Sequence, residues 1–361
     1  MEIIHIVLGK ANPNRLNGVN KVVYQMATEQ ANAGKNVAVW GITKDTKHDY
    51  PPRTFSTILY RSHKFPFFID KELKKAILSK KEAIYHLHGG WIPVFSPLSS
   101  FFKKNKIKYV LTPHGAYNTI AMKRSLWVKK IYFLLLEKKL LKNAHKIHSI
   151  GISEVEGLQT IFTNTKSFLL PYGFEIPIPT TKPKEVNGFI IGFVGRIDVY
   201  TKGLDILIAS FLQFQKKHQN SELWIIGAGD GIAFLEKFIQ KNKLNNVTLF
   251  GKKFGEEKNT LIQQMTVFAH PSRNEGLPTS VLEAASFGIP SVVTKATNIA
   301  NFIDQYNAGI SIESASVPEL VQAFETMYNR KEYNYSLACT EMLKEQFSWS
   351  VLVDKYDKLY L

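Results

Sequence analysis

Two α/β domains, each built on a parallel sheet, are what this 361-residue sequence predicts, and three observations carry the prediction. The length suits two cores rather than one. Short apolar runs alternate with helical segments in both halves, and strands apolar on both faces belong in parallel sheets covered by helices. A Pro/Thr-rich stretch at 177–183 interrupts this alternation, which then restarts.

In the first half, residues 3–8, 37–42, 83–88 and 108–112 read as buried strands, most of them leading to a helix. In the second half, 189–195, 222–227, 247–250, 267–270 and 291–294 read the same way. Right-handed crossovers between such strands make two Rossmann-like domains facing one another. The expected boundaries are 1–172, a linker at 173–188, and 189–346. Residues 347–361 place Trp349, Leu352, Tyr356 and Leu359 at helical spacing, so a last helix is expected to cross back onto the first domain.

Composition narrows the function. Hydrophobic residues make up 45% and charged residues 21%, which is globular rather than disordered. A lone cysteine, Cys339, excludes an internal disulfide framework, and no Cys/His cluster has zinc spacing. We therefore expect a reducing compartment and no resident metal or other cofactor. Residues 1–10 enter a strand with no basic leader, and the longest apolar stretch, 131–136, is too short for a membrane span. A soluble cytoplasmic protein is the expectation.

The net charge of +16 is lopsided. Residues 1–172 carry 27 Lys and Arg against 10 Asp and Glu, while residues 173–361 carry 19 against 20. The basic half calls for an acidic partner. On a helical wheel Arg124, Lys138, Lys139, Lys142 and Lys146 share an arc with Val128, Ile131 and Leu135, which suits an anionic membrane surface. No basic run interleaves with aromatics as in a nucleic-acid module, so no nucleic-acid partner is expected.

In open α/β sheets, ligands bind at the carboxyl ends of strands. The sharpest signal there is the string Ser272-Arg-Asn-Glu-Gly-Leu-Pro-Thr-Ser-Val-Leu-Glu283. A strand ends at its start and a helix begins near Thr279, so Gly276, Leu277, Pro278 and Thr279 present helix-terminal amides suited to a diphosphate. Glu275 and Glu283, with seven residues between them, fit contacts to different parts of one elongated ligand. Arg196 and Lys202 follow another strand end, at Gly195, and place two cations where they could grip phosphate oxygens. Gly18, after Asn17, would let a phosphate approach the first helix. His114 also sits at a strand end; His88 is a weaker candidate and His86 reads as structural. The string Gly227-Ala-Gly-Asp-Gly231 lacks the last glycine of a dinucleotide fingerprint, because Ile232 stands there.

The spacing E-G-L-P-x-x-x-L-E-A-x-x-x-G-x-P resembles the signature of family 4 retaining glycosyltransferases of the GT-B fold. So do F-V-G-R at 193–196, Lys202-Gly203, I-I-G-x-G at 225–229, N-G-V-N-K-V-V at 17–23, T-P-H-G at 112–115 and L-P-Y-G at 170–173. The family usually has a double glycine where this chain has Asn17-Gly18. The resemblance implies a hexose moved from a nucleotide-sugar, UDP-linked rather than GDP-linked, to a glycan or lipid-linked acceptor in surface-polysaccharide synthesis. It implies a donor held between the domains, with Arg196 and Lys202 on its diphosphate. Glu275 would orient the sugar, Glu283 hold the ribose, and His114 stand beside the reacting sugar. Gly251, Lys252 and the residues to Phe254 would frame the base. Two further readings are a nucleotide-sugar epimerase on the same fold and a non-catalytic binder of nucleotide-sugars or membranes. The absence of an Asp-x-Asp motif predicts activity without divalent metal.

Overall fold

The computed structural model describes residues 1–12, 18–118, 126–174, 188–330 and 333–361. Asn17, Arg124 and most of the 173–188 stretch therefore lie outside the described residues. One unit comprises Met1–Gly173 with Trp349–Leu361, the other Phe174–Ser348.

The first unit contains a seven-stranded sheet, every neighbouring pair parallel. Its strands are β1 (Glu2–Leu8), β2 (Asn36–Thr43), β3 (Ser56–Arg61), β4 (Ile84–His88), β5 (Tyr109–Thr112), β6 (Lys146–Ser149) and β7 (Ser167–Leu169), in the order β3-β2-β1-β4-β5-β6-β7. β4 and β5 are wholly buried and β1 and β2 nearly so, as their apolar runs predict. β3, β6 and β7 escape the sequence reading for physical reasons. β3 and β7 lie at the edges, where one face need not be apolar, and β6 is the four-residue Lys-Ile-His-Ser. The final helix, Trp349–Tyr360, packs in this unit and buries Trp349, Leu352, Tyr356 and Leu359 together with Val353 and Tyr360. Gly173 lies so close to Trp349 that a Cβ there would stand 2.2 Å from the indole.

The second unit holds a six-stranded parallel sheet in the order β10-β9-β8-β11-β12-β13. Its strands are β8 (Phe189–Val194), β9 (Ser221–Ile226), β10 (Val247–Gly251), β11 (Val267–His270), β12 (Ser291–Thr294) and β13 (Gly309–Ile312). Only β13, a short edge strand, was not anticipated.

The basic arc needs correction. Helix Leu126–Tyr132 runs into a π-turn, Phe133–Glu137, and then into helix Lys138–Asn143. The turn is wider because Glu137 points inward, its carboxylate accepting from the Trp91 amide at 2.8 Å and from the Tyr117 hydroxyl. Lys146 belongs to β6, where its ammonium donates to the Lys358 carbonyl, so it leaves the arc. What stays exposed is Trp127, Val128, Ile131, Leu134 and Leu135 with Lys130, Lys138, Lys139 and Lys142.

Candidate functional site

The informative loops of the second unit lie at the carboxyl ends of β8 and β11. After β8, Gly195 and Ile197 are held by backbone bonds to Ile226 and Ala228, at 3.0 Å each. A Cβ on Gly227 would lie 1.8 Å from the Gly195 carbonyl oxygen, and one on Gly229 would lie 2.5 Å from that of Ile197. The glycines that invite a dinucleotide reading thus serve to press two strand-end loops together. Asp198 caps the short helix Val199–Lys202 through the Thr201 amide at 3.0 Å. The same carboxylate pairs with the exposed Arg196 guanidinium at 3.3 Å. Gly203 ends that helix at φ +67°, where a Cβ would collide with the Pro271 carbonyl oxygen at 2.0 Å. Only glycine lets the Lys202 loop sit this close to the end of β11.

The loop after β11 meets it there. The Lys202 ammonium bonds the Glu275 carboxylate, bringing two of the candidate residues into contact. His270, the last residue of β11, donates from Nε2 to the same oxygen at 3.4 Å. Its ring is stacked parallel to Phe193 and Phe268. Burial keeps His270 neutral against the pull of Glu275. For Glu275 burial is also the largest influence and would raise the carboxyl. The His270 hydrogen bond and the Lys202 charge outweigh it and bring the group down to about 2. A carboxylate ionised at neutral pH, held by a neutral imidazole and an ammonium, therefore stands at the tip of β11.

Arg273, absent from the sequence candidates, locks this loop. It grips Asp205 with two bonds of 2.8 Å, donates to the Tyr200 carbonyl at 2.8 Å, and lies over the Tyr200 ring at 4.5 Å. Its amide also bonds the Thr201 carbonyl at 3.0 Å. Only its place beside Glu275 in the motif hinted at this. The helix Thr279–Ser286 starts after Pro278 with no side-chain cap, while Leu277 and Pro278 are buried and Thr279 is exposed. A helix start without a side-chain cap suits an anion. Glu283, one turn inside, pairs with Lys258 of helix Gly255–Gln263 at 2.7 Å. That pair ties the helix to the segment after β10, where Gly251 takes φ +68° and Lys252 and Phe254 are exposed. A ribose reaching Glu283 would have to share it with Lys258.

In the first unit, helix Gly18–Asn32 begins beside the loop after β1. Its Asn20 bonds the Ala11 amide at 2.8 Å and the Leu8 carbonyl at 3.2 Å, and it sits where a Gly9 side chain would go. His114 follows β5 with φ +57° and Gly115 with φ +81°. Two successive left-handed residues need an anchor, and Glu154 supplies it by accepting from the Gly115 amide at 2.7 Å and the Ile150 amide at 3.2 Å. Burial raises the Glu154 carboxyl to about 7. His114 bonds His88 at 3.0 Å and the Tyr172 hydroxyl, while His86 and His88 are fully buried. His5 and His148, hidden in strands that read only as core or as nothing, complete a cluster of five imidazoles. The period-two placing of His86 and His88, with His5 in register beside His86, was the available signal.

Among the described residues, no helix is long and apolar enough to cross a membrane. Two family models match the chain in succession, Glycosyltransferase Family 4 over residues 16–173 and Glycosyl transferases group 1 over residues 177–341. The chain is 26% identical to an uncharacterized glycosyltransferase of Methanocaldococcus jannaschii, over 71% of this chain and 70% of that protein. It is 24% identical to the capsular polysaccharide biosynthesis glycosyltransferase CapM of Staphylococcus aureus, over 48% of this chain and 46% of CapM. Among solved structures, the Anabaena protein HepE in complex with UDP superposes with a TM-score of 0.77 at 13% identity, covering 99% of each chain.

Proposed function

Because the chain belongs to the family 4, group 1 glycosyltransferases and has their GT-B fold, we propose that it moves a hexose from a UDP-sugar to a glycan or lipid-linked acceptor with retention of configuration. The observation that carries this reading is the Lys202–Glu275 contact at the tip of β11, steadied by His270 and Arg273. Lys202 and Arg196 supply positive charge for a departing diphosphate, and the N-terminus of helix Thr279–Ser286 adds to it. Glu275, ionised at neutral pH, accepts hydrogen bonds from hydroxyls of the donor sugar.

Glu275 and Glu283 engage different partners, which does not suit the close carboxyl pair of a double displacement. A same-face, oxocarbenium-like substitution fits better: the leaving phosphate oxygen takes the acceptor's proton as the glycosidic bond breaks and the new one forms. In this reading the charge is handled by side chains, so activity persists in excess chelator. CapM's role in capsule synthesis and the UDP bound by HepE support a UDP-sugar and a surface-glycan product. Incubation with UDP-, GDP-, ADP- and TDP-sugars, scored for nucleoside diphosphate release with and without lipid-linked acceptor, tests the proposal. Release from UDP-sugars only when acceptor is present is the expected result; silence with every donor would overturn it.

We also propose that the first unit docks on an anionic membrane through Trp127, Val128, Ile131, Leu134 and Leu135, flanked by Lys130, Lys138, Lys139 and Lys142. Sedimentation with anionic vesicles should fall for Leu134→Ser/Leu135→Ser and be absent with neutral vesicles. Equal binding to both lipids refutes the docking.

A further inference from the structure

The interior of the first unit holds a run of hydrogen bonds whose direction can be deduced from one end. The Leu170 carbonyl can only accept, so His148 Nε2, 2.8 Å away, carries a proton. A neutral His148 then accepts at Nδ1 from the Thr112 hydroxyl at 2.8 Å. The Thr112 oxygen in turn accepts from His86 Nε2 at 2.5 Å, leaving His86 Nδ1 to accept from the Tyr360 hydroxyl at 3.0 Å. The Tyr360 oxygen accepts from the Gln30 amide nitrogen at 3.1 Å. Gln30 Oε1 must then receive the proton of His5 Nε2 at 2.7 Å. His5 Nδ1 accepts from His88 Nε2 at 2.9 Å, and His88 Nδ1 from His114 Nε2 at 3.0 Å. His114 Nδ1 remains as acceptor for the Tyr172 hydroxyl. All five histidines come out as the same neutral tautomer, and every ring nitrogen is used.

Burial disfavours the charged form of each imidazole. A second proton on His5 or His88 would also set its Nδ1–H head to head with the Nε2–H of the next ring. Ring nitrogens of His5, His86 and His88 lie within 4.8 Å of one another, a spacing that invites a metal ion. In the ordered chain each of their lone pairs already receives a proton, so the bonding is complete without an ion.

We propose that this chain, rather than the immediate surroundings of His114, fixes which His114 nitrogen bears the proton, and that Tyr360 and Gln30 are positioning residues for it. His114 then offers a single lone pair, at Nδ1, and a substrate hydroxyl reaching it must displace Tyr172. That last consequence rests on the role for His114 that the family resemblance implies; the proton order does not. The helix that returns to the first unit supplies Tyr360, the link between the two halves of the chain.

The test is NMR of the full chain labelled with ¹⁵N at histidine, reading the protonated nitrogen of each ring. In the wild type all five should be protonated at Nε2 alone. In Tyr360→Phe, His86 and His148 stay anchored to Leu170 and keep that pattern. His5, His88 and His114 lose it, because the Gln30 amide is free to turn over. Gln30→Met should release the same three. A merely local role for Tyr360 predicts the reverse, with disturbance at the adjacent His86 and none at His114. His114 unmoved in both variants would overturn the proposal. If neither variant folds, the wild type alone decides, since any of the five protonated at Nδ1 contradicts it. Turnover of His114→Ala separately reads whether His114 serves the reaction, so the two ideas can fail independently.

Discussion

The interior beneath β4 and β5 and the loop cluster at the tip of β11 handle polar groups in opposite ways. The first buries four histidines, half-buries His114 and keeps all five neutral, each hydrogen bond satisfied by its neighbour. The second keeps its charges and pairs them: Lys202 with Glu275, Arg273 with Asp205, Arg196 with Asp198, Lys258 with Glu283. The contrast follows from solvent. A fully enclosed group loses too much hydration to stay ionised, whereas groups at strand tips keep part of theirs. One region is suited to holding a proton in a fixed place, the other to meeting a charged ligand.

The largest expected effect comes from removing a charge in the second region. Lys202→Ala should lower turnover by about a hundredfold or more, on the scale of a lost transition-state donor, while far-UV circular dichroism is unchanged. Without the ammonium, burial gains ground and the Glu275 carboxyl should titrate above its present position near 2. Turnover within a few-fold of wild type would remove Lys202 from the mechanism.

Acid separates the regions next. Glu275 is depressed, so its contribution is present above the ordinary 4.5 and fades as pH falls toward 2. His5 and His148 are lowered to about 4 from 6.5, so unfolding takes up protons and stability falls as pH drops through that window. By pH 4 each should cost on the order of 3 kcal/mol. Glu154, raised to about 7, and Glu137, also raised by burial, act in the opposite sense above 4.5, but they are two groups against five. The first unit should therefore lose structure before the second as pH is lowered. Tryptophan fluorescence can follow this, since Trp40, Trp91, Trp127 and Trp349 lie in the first unit and only Trp224 in the second. A single transition below pH 4 would contradict the comparison.

Smaller effects sharpen it. Gly203→Ala sets a Cβ against the Pro271 oxygen at a left-handed position and should cost about 1–2 kcal/mol or more in urea unfolding. Glu154→Ala strips the Gly115 amide of its acceptor, for about 1–3 kcal/mol and faster amide exchange at 114–115. An unchanged exchange rate would show that the turn holds itself.

The sequence made the second region legible because its chemistry is local. Lys202, Glu275 and the start of helix Thr279–Ser286 sit in glycine-marked loops, each directly after an apolar strand. His270 and Arg273 were missed although they flank the same motif, since nothing in a linear string tells a gripping arginine from a solvated one. The first region was read poorly because its chemistry is long-range. His5, His86, His148 and Tyr360 meet only once strands far apart in sequence are laid side by side. β6, whose four residues include Lys146 and His148, has no apolar period to betray it. Edge strands fail for a related reason: with one face half open, β3 and β13 carry too weak a pattern.

The π-turn at Phe133–Glu137 places the inner and outer surfaces of its segment under one rule. Relative to an unbroken α-helix it accommodates one additional residue, about 100° of rotation. Deleting a residue there would yield a more regular helix, yet it would swing Glu137 away from Trp91 and Tyr117 and turn the Trp127–Ile131 face away from the Lys138–Lys142 face. Leu134 and Leu135 can therefore be exchanged for other bulky apolar residues at little cost, while the length of the segment cannot change at all.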